Sequence, residues 1–344
     1  MKEHKKENRK IISNEKVLQV NNLQVSFRTY GGEVEAVRGV NFDLYKGETL
    51  AIVGESGCGK SVTSNAIMGL IPQPAGIIKN GSILFKGKDL TKLSKAQLRK
   101  IQGVDISMIF QDPMTALNPT LSIGEQLTEG LLTHQKIGKQ EAKKKAIDML
   151  NLVGIPNPEE RLKQFPHQFS GGMRQRIVIA IALICDPKLL IADEPTTALD
   201  VTIQAQILEL FEEIQRKTEI SIILITHDLG VVAKIADRIA VMYAGKIVEI
   251  GDKREIFYNP EHPYTKGLLN SVPRLDLMEE ELKPIEGTPP DLFSPPKGCP
   301  FTARCDYAME VCDHVYPITT QLTEAHMVDC WLQDSRAKVL QVQK

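Results

Sequence analysis

The sequence predicts an α/β fold in which buried strands and helices alternate around one glycine-rich loop, and three observations predict it. The apolar run 49–53 leads directly into the segment 54–61, which reads GESGCGKS. The apolar runs 189–192 and 220–225 have the length of buried strands and end in polar residues. Between them, segment 201–216 has the apolar spacing of an amphipathic helix. Strands and helices that alternate in this way are typical of an open α/β sheet.

Length and composition favour one large domain with a smaller appendage. The chain has 344 residues, which exceeds the usual size of a single domain. Its net charge of −1 provides no electrostatic field that would attract nucleic acid. No apolar run approaches the roughly 18–20 residues that span a bilayer, the longest being 177–185. The basic residues 1–14 lack the apolar core of a signal peptide, and we expect a solvated, disordered tail. We therefore expect a cytosolic protein whose six cysteines are thiols or metal ligands.

Two segments near the N-terminus alternate apolar and polar residues. Residues 16–27 and 35–44 both show the period of two that is typical of half-buried strands, and we expect them to pair antiparallel. Tyr30 lies in the turn between them. An aromatic residue there could stack on a base, although a lone tyrosine in a turn is more often a packing residue.

The segment 54–61 fits the phosphate-binding pattern G-x-x-x-x-G-K-[ST] between a predicted strand and a predicted helix. Its glycines let successive backbone N–H groups turn towards phosphate oxygens, and the helix N-terminus adds a positive end. We expect Lys60 to neutralise the phosphates and the Ser61 hydroxyl to bind Mg²⁺. The predicted nucleotide-binding residues here are Gly54, Glu55, Ser56, Gly57, Cys58, Gly59, Lys60, Ser61 and Val62.

The middle of the chain changes from strands to helices. We expect a short strand at 82–85, a helix at 90–101 and a buried strand at 106–110 that ends before Gln111. A turn-rich stretch follows, and the helical period then dominates as far as residue 183. We interpret residues 112–183, approximately, as a helical subdomain.

The last helix of this subdomain is predicted to begin at a serine and two glycines. Ser170 precedes Gly171 and Gly172, and serine is a preferred residue at a helix N-cap. Taken alone, the three residues indicate only a helix start.

Acidic residues follow the apolar run 189–192. Asp193 and Glu194 would then stand at the carboxyl edge of a parallel sheet, where ligands bind in open α/β folds. If this is a nucleotidase, Asp193 holds Mg²⁺ and Glu194 polarises the attacking water. The alternative is a pair of acids that cap a helix. His227 follows the next buried run, and alone it would more often be a structural histidine.

Beyond residue 258 the chain becomes rich in proline and contains four cysteines, Cys299, Cys305, Cys312 and Cys330. A small module of this kind has only a small hydrophobic core, so a bound metal ion or cluster is a reasonable source of additional stability. The spacings lack the C-x₂₋₄-C knuckles that are usual for zinc. An iron–sulfur cluster, zinc and unliganded thiols all remain open from the residues alone.

The order and spacing of these motifs resemble the ATPases of ABC transporters. The matching features are the phosphate loop, Gln111, Ser170-Gly171-Gly172, Asp193-Glu194, Asp200 in the segment TALD, and His227. Residues 108–119 and 169–176, with the tail segments 262–265, 298–305 and 330–331, look more narrowly like the oligopeptide and dipeptide importers. Phe169 and Met173 replace the usual Leu and Gln of the signature, and Val62 replaces the commoner Thr, but the phosphate-contacting residues are intact.

The resemblance implies a P-loop NTPase fold with a mixed sheet core, an antiparallel β subdomain and an α-helical subdomain. It implies an ATPase domain at 15–260 and a C-terminal module at 261–335 with a four-cysteine site, followed by a tail at 336–344. In this family the four-cysteine tail points to a [4Fe–4S] cluster, with Zn²⁺ as the alternative.

The resemblance also implies the site roles. Two ATPase subunits would bind ATP head to tail, between the phosphate loop of one and Ser170-Gly171-Gly172 of the other. Gln111 would reach Mg²⁺, together with Ser61 and Asp193. The remaining roles are the catalytic pair Glu194 and His227, Asp200 as a bridge to the partner's loop, and Tyr30 stacked on adenine.

The implied function is ATP-driven import of oligopeptides or dipeptides, with closure on ATP binding and reopening on hydrolysis. The implied partners are a second ATPase subunit that we expect to be a paralogue, two membrane permeases and an extracellular peptide-binding protein. The location would be peripheral, at the cytoplasmic face of the membrane. Another cargo such as nickel or glutathione is an alternative, and a soluble nucleic-acid-associated ABC ATPase is a more distant one; we expect no nucleic acid as partner.

Overall fold

The computed structural model describes residues 14–197, 200–271 and 284–337. The tail predicted at 1–14 lies outside them except for its last residue, and so does most of the tail predicted at 336–344. The strands are β1 Lys16–Thr29, β2 Gly32–Tyr45, β3 Thr49–Val53, β4 Gly76–Phe85, β5 Lys88–Asp89, β6 Ile106–Ile109, β7 Leu189–Asp193, β8 Ser221–Thr226, β9 Arg238–Tyr243, β10 Lys246–Asp252, β11 Thr320–Gln321 and β12 Met327–Val328.

The helices fall between these strands and are most numerous between β6 and β7. They are α1 Lys60–Ile67, α2 Lys95–Arg99, α3 Pro113–Ala116, α4 Ile123–His134, α5 Lys139–Leu152, α6 Pro158–Arg161, α7 Gly171–Leu183, α8 Val201–Thr218, α9 Leu229–Ile235, α10 Lys253–Tyr258, α11 Pro263–Asn270 and α12 Glu310–His314. Short 3-10 turns lie at Leu90–Lys92, Pro166–Gln168, Thr302–Arg304 and Trp331–Gln333.

Two sheets organise the fold. The larger sheet has the strand order β11-β12-β10-β9-β3-β8-β7-β6, parallel from β9 to β6 and antiparallel beyond β9. The smaller sheet is antiparallel, in the order β2-β1-β4-β5. β3, β7 and β8 are buried along their whole length, because a central parallel strand is covered on both faces. The predicted mixed sheet, antiparallel sheet and helical region are therefore all present.

Three apolar clusters hold the layers together. One joins the helical region to α7, α8 and the sheet, a second joins the smaller sheet to the larger one, and a third packs the C-terminal residues against β9 and β10. In the third cluster Tyr264 and Phe301 contact Tyr243, with ring centroids 4.5 and 5.3 Å from the Tyr243 ring. The C-terminal residues thus pack on β9, which pairs directly with β3, the strand that leads into the phosphate loop.

Two local predictions differ from the structure. The helix predicted at 90–101 is a 3-10 turn followed by the separate helix α2, because the Ser94 hydroxyl and the Gln97 side chain form a capping box that starts a new helix. The strand predicted at 82–85 begins at Gly76, since its first half pairs with β1 across a register shift near Asn21 and Gln24. Within the described ranges, no helix is long and apolar enough to cross a membrane.

Candidate nucleotide-binding site

The phosphate loop occupies the turn between β3 and α1. Gly54 has φ +152° and Gly59 has φ +102°. A Cβ on Gly54 would lie 2.0 Å from the carbonyl oxygen of Met242, and one on Gly59 would lie 2.4 Å from that of Ala36. Only glycine fits at these positions, so neighbouring backbone fixes the course of the loop.

Lys60 folds back over this loop. Its Nζ donates to the carbonyl oxygens of Gly54 at 2.8 Å and Glu55 at 2.9 Å, and the residue is 5% exposed. The ammonium group is therefore held inside the curve of the loop, where the positive charge faces any anion that the loop encloses.

Ser61 and Asp193 meet at the mouth of the loop. The Ser61 hydroxyl donates to Asp193 Oδ1 at 3.0 Å. Burial raises the pKa of Asp193, and the neighbouring Glu194 adds to this while Ser61 and Lys60 oppose it. A buried carboxylate beside a hydroxyl offers hard oxygen ligands, which is the donor set that Mg²⁺ prefers.

Three side chains converge on the carboxylate of Glu194. Gln111 Nε2 donates to Oε2 at 2.8 Å, and the Thr197 hydroxyl donates to the same oxygen at 3.1 Å. His227 Nδ1 lies 3.3 Å from Oε1. The Glu194 side chain is 16% exposed and that of His227 is 60% exposed. The structure thus brings together Gln111, Glu194 and His227, and it adds Thr197, to which the sequence analysis gave no role.

The backbone of Glu194 is also constrained. The residue has φ +49°, a region that non-glycine residues rarely adopt, and its N–H donates to the carbonyl oxygen of Ile225 at 2.9 Å. The bond to β8 holds the carboxylate over the ends of β7 and β8.

The other predicted residues lie elsewhere on the surface. Ser170 is exposed and caps α7, its hydroxyl accepting from Met173 N–H at 3.4 Å. Asp200 is exposed and caps α8 by accepting from Ile203 N–H at 3.0 Å. Tyr30 is fully exposed at the tip of the β1–β2 hairpin. All three residues are open to solvent, and the side chains of Ser170 and Asp200 already bond to the backbone of the helix that each caps.

The four cysteines of the C-terminal region influence one another. Burial raises the pKa of Cys299 to about 11 and that of Cys330 to about 12, and the charges of neighbouring cysteines act in the same direction. Cys299 N–H donates to the carbonyl oxygen of Cys312 at 2.7 Å. In the part of the chain that the structure describes, no three Cys, His, Asp or Glu side chains are placed to hold one metal ion. The thiols lie near one another, but the expected metal or cluster finds no preformed single-ion site.

Two family models match separate parts of the chain, and two relatives match almost the whole of it. The model described as ABC transporter matches residues 37–197, and the one described as oligopeptide/dipeptide transporter, C-terminal region, matches residues 248–312. A dipeptide transport ATP-binding protein of Bacillus subtilis (strain 168) is 71% identical over 94% of this chain and 97% of that protein. The chain belongs to the oligopeptide/dipeptide family of ABC transporter ATP-binding proteins. An oligopeptide transport ATP-binding protein of the same organism is 63% identical, over 92% of this chain and 89% of that protein.

Solved structures of ABC transporter ATP-binding cassettes share the fold. The ABC ATPase resembles a dimeric ATP-binding cassette in a post-hydrolysis state with ADP and Pi, with TM-score 0.62 and 26% identity over 69% of this chain and 99% of that chain. It also resembles a subunit of an ABC transporter complex from Clostridium perfringens, with TM-score 0.61 and 31% identity over 72% of this chain and 92% of that chain. The resemblance drawn from the motifs and the fold that it implied are confirmed. As an ABC ATPase, the chain binds and hydrolyses ATP with Mg²⁺.

Proposed function

We propose that this ABC ATPase energises the import of dipeptides or oligopeptides through a membrane permease. The observation that carries the proposal is the convergence of Gln111, Thr197 and His227 on Glu194, beside a phosphate loop, in a chain so similar to two peptide transport ATP-binding proteins. Nickel and glutathione remain alternative cargoes because the predicted site contacts only nucleotide. The nucleic-acid alternative has no support in these relatives.

Ser61, Asp193 and Gln111 are the residues that we assign to Mg²⁺. The Ser61 hydroxyl oxygen lies 3.0 Å from Asp193 Oδ1, and this distance supports the assignment because two oxygens so close can bind one ion. When bound, Mg²⁺ neutralises charge on the β- and γ-phosphates. Lys60 and the loop N–H groups then bind the phosphate chain, and the buried Lys60 charge has no competing solvent around it.

Glu194 acts as the general base in the proposed mechanism. Its carboxylate is oriented by Gln111 and Thr197 on one oxygen, which leaves Oε1, near His227, for the attacking water. The His227 side chain, which is 60% exposed beside Glu194, would contact the γ-phosphate. Because three side chains fix the orientation of one carboxylate, water and phosphate can be aligned with little reorganisation.

A second ATPase subunit completes the site in this proposal. The exposed N-terminus of α7, with Ser170, Gly171 and Gly172, would bind the γ-phosphate held by the opposite loop, and Asp200 would bridge to that loop. One relative in structure is described as dimeric, which supports dimer formation. We propose a paralogue as the partner, closure on ATP binding and reopening after hydrolysis.

The remaining partners follow from the peptide importer family. We propose a peripheral position at the cytoplasmic face of the membrane, with two permease subunits and an extracellular peptide-binding protein. We divide the chain at about residue 260, with the ATPase domain at 15–260 and the C-terminal module at 261–335.

For the C-terminal module we propose a [4Fe–4S] cluster on Cys299, Cys305, Cys312 and Cys330, with Zn²⁺ as the alternative. The Cys299 N–H donates to the carbonyl oxygen of Cys312 at 2.7 Å, and this proximity of two of the four residues supports a shared ligand. Among the described residues, no three side chains are placed to hold one metal ion, so the proposed cluster rests on the resemblance of the tail to that of the peptide importers.

Elemental analysis distinguishes these ligands. Anaerobically purified protein should be brown and contain iron and sulfide in equal amounts, with about four irons per chain for a [4Fe–4S] cluster. Cys305→Ser should lower the iron content, and Cys185→Ser, at a buried cysteine of the helical region, should not. A colourless protein with one zinc per chain would contradict the cluster and favour the alternative.

Glu194→Gln tests the proposed ATPase mechanism. The amide keeps the size of the side chain but cannot take a proton, so hydrolysis should fall roughly 10²- to 10⁴-fold while ATP affinity is kept. Glu209→Gln is the matched control, because this exposed glutamate pairs with Lys234 on the surface. Full activity of Glu194→Gln would contradict the role of general base. Transport of radiolabelled dipeptide into vesicles with the permeases, compared with nickel and glutathione, identifies the cargo.

A further inference from the structure

The second residue of the phosphate loop is bound by a residue of the C-terminal region. Arg304 Nη1 donates to Glu55 Oε2 at 2.7 Å, and Nη2 donates to Oε1 at 2.9 Å. The two parallel bonds form the bidentate geometry that fits a guanidinium to a carboxylate. The Arg304 side chain is 5% exposed and that of Glu55 is 27% exposed. This pair is therefore largely shielded from water, unlike an ordinary surface ion pair.

Arg304 is itself fixed by its surroundings. Its Nε donates to the carbonyl oxygen of Glu286 at 2.8 Å, and Nη2 also donates to that of Ile285 at 3.1 Å. Nη1 donates in addition to the Tyr243 hydroxyl at 3.1 Å. Every nitrogen of the guanidinium has a partner, so its position is set before any nucleotide binds.

A second bond from the C-terminal region reaches the same loop residue. The N–H of Glu55 donates to the Tyr264 hydroxyl at 2.9 Å. Tyr264 is fully buried in the apolar cluster with Tyr243 and Phe301. Both the side chain and the backbone of Glu55 are thus held by residues more than two hundred positions later in the chain.

The charge of Glu55 gives this arrangement a consequence for ATP binding. A carboxylate in the loop that encloses polyphosphate repels it, and the repulsion is large in a partly buried site. Arg304 neutralises this carboxylate and turns it towards the C-terminal region. Without Arg304, the loop would present an unpaired negative charge beside the phosphates.

We propose that Arg304 is a positioning residue for the phosphate loop, through which the C-terminal region sets the affinity for ATP. This inference rests on the proposed function, since it presumes that ATP binds at residues 54–61. Arg304 is the last residue of the turn Thr302–Arg304 and immediately precedes Cys305, so the turn that carries the guanidinium borders the proposed four-cysteine site.

The test is a charge-compensation series measured by ATP affinity. In Arg304→Gln the unpaired Glu55 should weaken ATP binding about tenfold or more, with kcat changed much less than KM. In the double variant Arg304→Gln/Glu55→Gln the repulsive charge is gone, and the affinity should return to within about threefold of wild type. Arg304→Lys keeps the charge without the bidentate geometry and should lie between wild type and Arg304→Gln.

Arg336→Gln is the matched control, because Arg336 forms a bidentate pair with Asp334 in the same region but is exposed. Its ATP affinity should equal that of wild type. Equal affinity of Arg304→Gln and wild type would overturn the inference, and so would a defect that Glu55→Gln does not relieve. Iron content and thermal melting of each variant report whether the C-terminal region is folded. Failure of wild type to bind ATP would instead refute the proposed function.

Discussion

The phosphate loop and the N-terminus of α7 are the two halves of the proposed ATP site, and they are built in opposite ways. The loop half is buried and bonded within the chain: Lys60 is 5% exposed, Ser61 bonds to Asp193, and Arg304 binds Glu55. In the α7 half, Ser170 is exposed and its hydroxyl accepts from Met173 N–H in the first turn of the helix. The loop half is held in place by contacts within its own chain, whereas the phosphate-binding groups of the α7 half are open to a second subunit. We therefore expect damage to the loop half to affect the isolated subunit and damage to the α7 half to affect only the dimer.

The largest effect is expected from Gly59→Ala in the loop half. The new Cβ would lie 2.4 Å from the Ala36 carbonyl oxygen at φ +102°, so backbone must move. A cost of about 3 kcal/mol or more and loss of ATP binding by the isolated subunit should follow, since strain and clash add. Gly57→Ala is the matched variant: it also has positive φ, +78°, but its Cβ meets nothing within 4 Å. Titration with a fluorescent ATP analogue should show a much smaller loss there, and equal losses in the two variants would contradict the argument from the clash.

The next effect concerns His262, which binds the backbone of Tyr264, the residue whose hydroxyl accepts from the loop residue Glu55. His262 is fully buried, and its Nδ1 accepts from Tyr264 N–H at 3.0 Å at the start of α11. Burial lowers the pKa of His262 to about 4, although Glu249 opposes the shift. His262 therefore binds a proton near pH 6.5 in the unfolded chain but only near pH 4 in the folded chain. Stability must therefore fall as the pH drops through this window, by up to roughly 3 kcal/mol.

His262→Asn isolates this contribution. Asparagine keeps an N-cap acceptor for Tyr264 but does not titrate, so the free energy of unfolding should depend less on pH between 6.5 and 4 than in wild type. Urea unfolding at several pH values measures the difference. His326, whose pKa is lowered by burial but raised overall by its bond to Glu249, contributes in the opposite direction and is present in both proteins, so it cancels. Parallel pH profiles for the two proteins would show that His262 is not kept neutral by burial.

Ser170→Ala tests the α7 half. The hydroxyl caps α7, so its loss should cost about 1 kcal/mol of stability. Hydrolysis by the assembled transporter should fall roughly ten- to hundredfold, since one phosphate donor is removed, while ATP affinity of the isolated subunit stays unchanged. Ser122→Ala is the matched control because Ser122 also caps a helix, α4, through its hydroxyl. If Ser170→Ala lowered the ATP affinity of the isolated subunit, Ser170 would act on ATP bound by its own chain. That result would contradict the division of the site between two subunits.

The sequence could predict the loop half because its signals are local. The apolar run before Asp193 and Glu194 makes a buried central strand, and the glycine pattern at 54–61 follows from the backbone path that phosphate binding requires. The same reasoning placed Gln111 and His227 at strand ends, and parallel strands then bring those ends to one sheet edge.

The supports of the loop could not be predicted in this way. Arg304 and Glu55 are 249 positions apart, and no periodicity relates them. Tyr264 lies in the tail segment 262–265, which the sequence relates only to the peptide importers, although its hydroxyl accepts from Glu55 N–H. Such contacts depend on how β9, β10 and the C-terminal residues pack, which is a tertiary property. The signal that could have suggested them is Arg304 itself, an arginine between the predicted ligands Cys299 and Cys305.

The smallest effect is expected from Tyr30→Ala, which probes the most exposed part of the proposed site. Tyr30 is fully exposed at a hairpin tip, so its removal should leave stability unchanged. If the ring stacks on adenine, its loss should weaken ATP binding by about 1 kcal/mol, roughly fivefold. Tyr30→Phe should bind as wild type does, and Tyr258→Ala, at another exposed tyrosine, should have no effect. Because stacking needs only the phosphate loop of the same chain, the isolated subunit should show this loss, in contrast to Ser170→Ala. An unchanged affinity in the isolated subunit, with a loss only in the assembled transporter, would move Tyr30 to the half of the site that depends on a second surface.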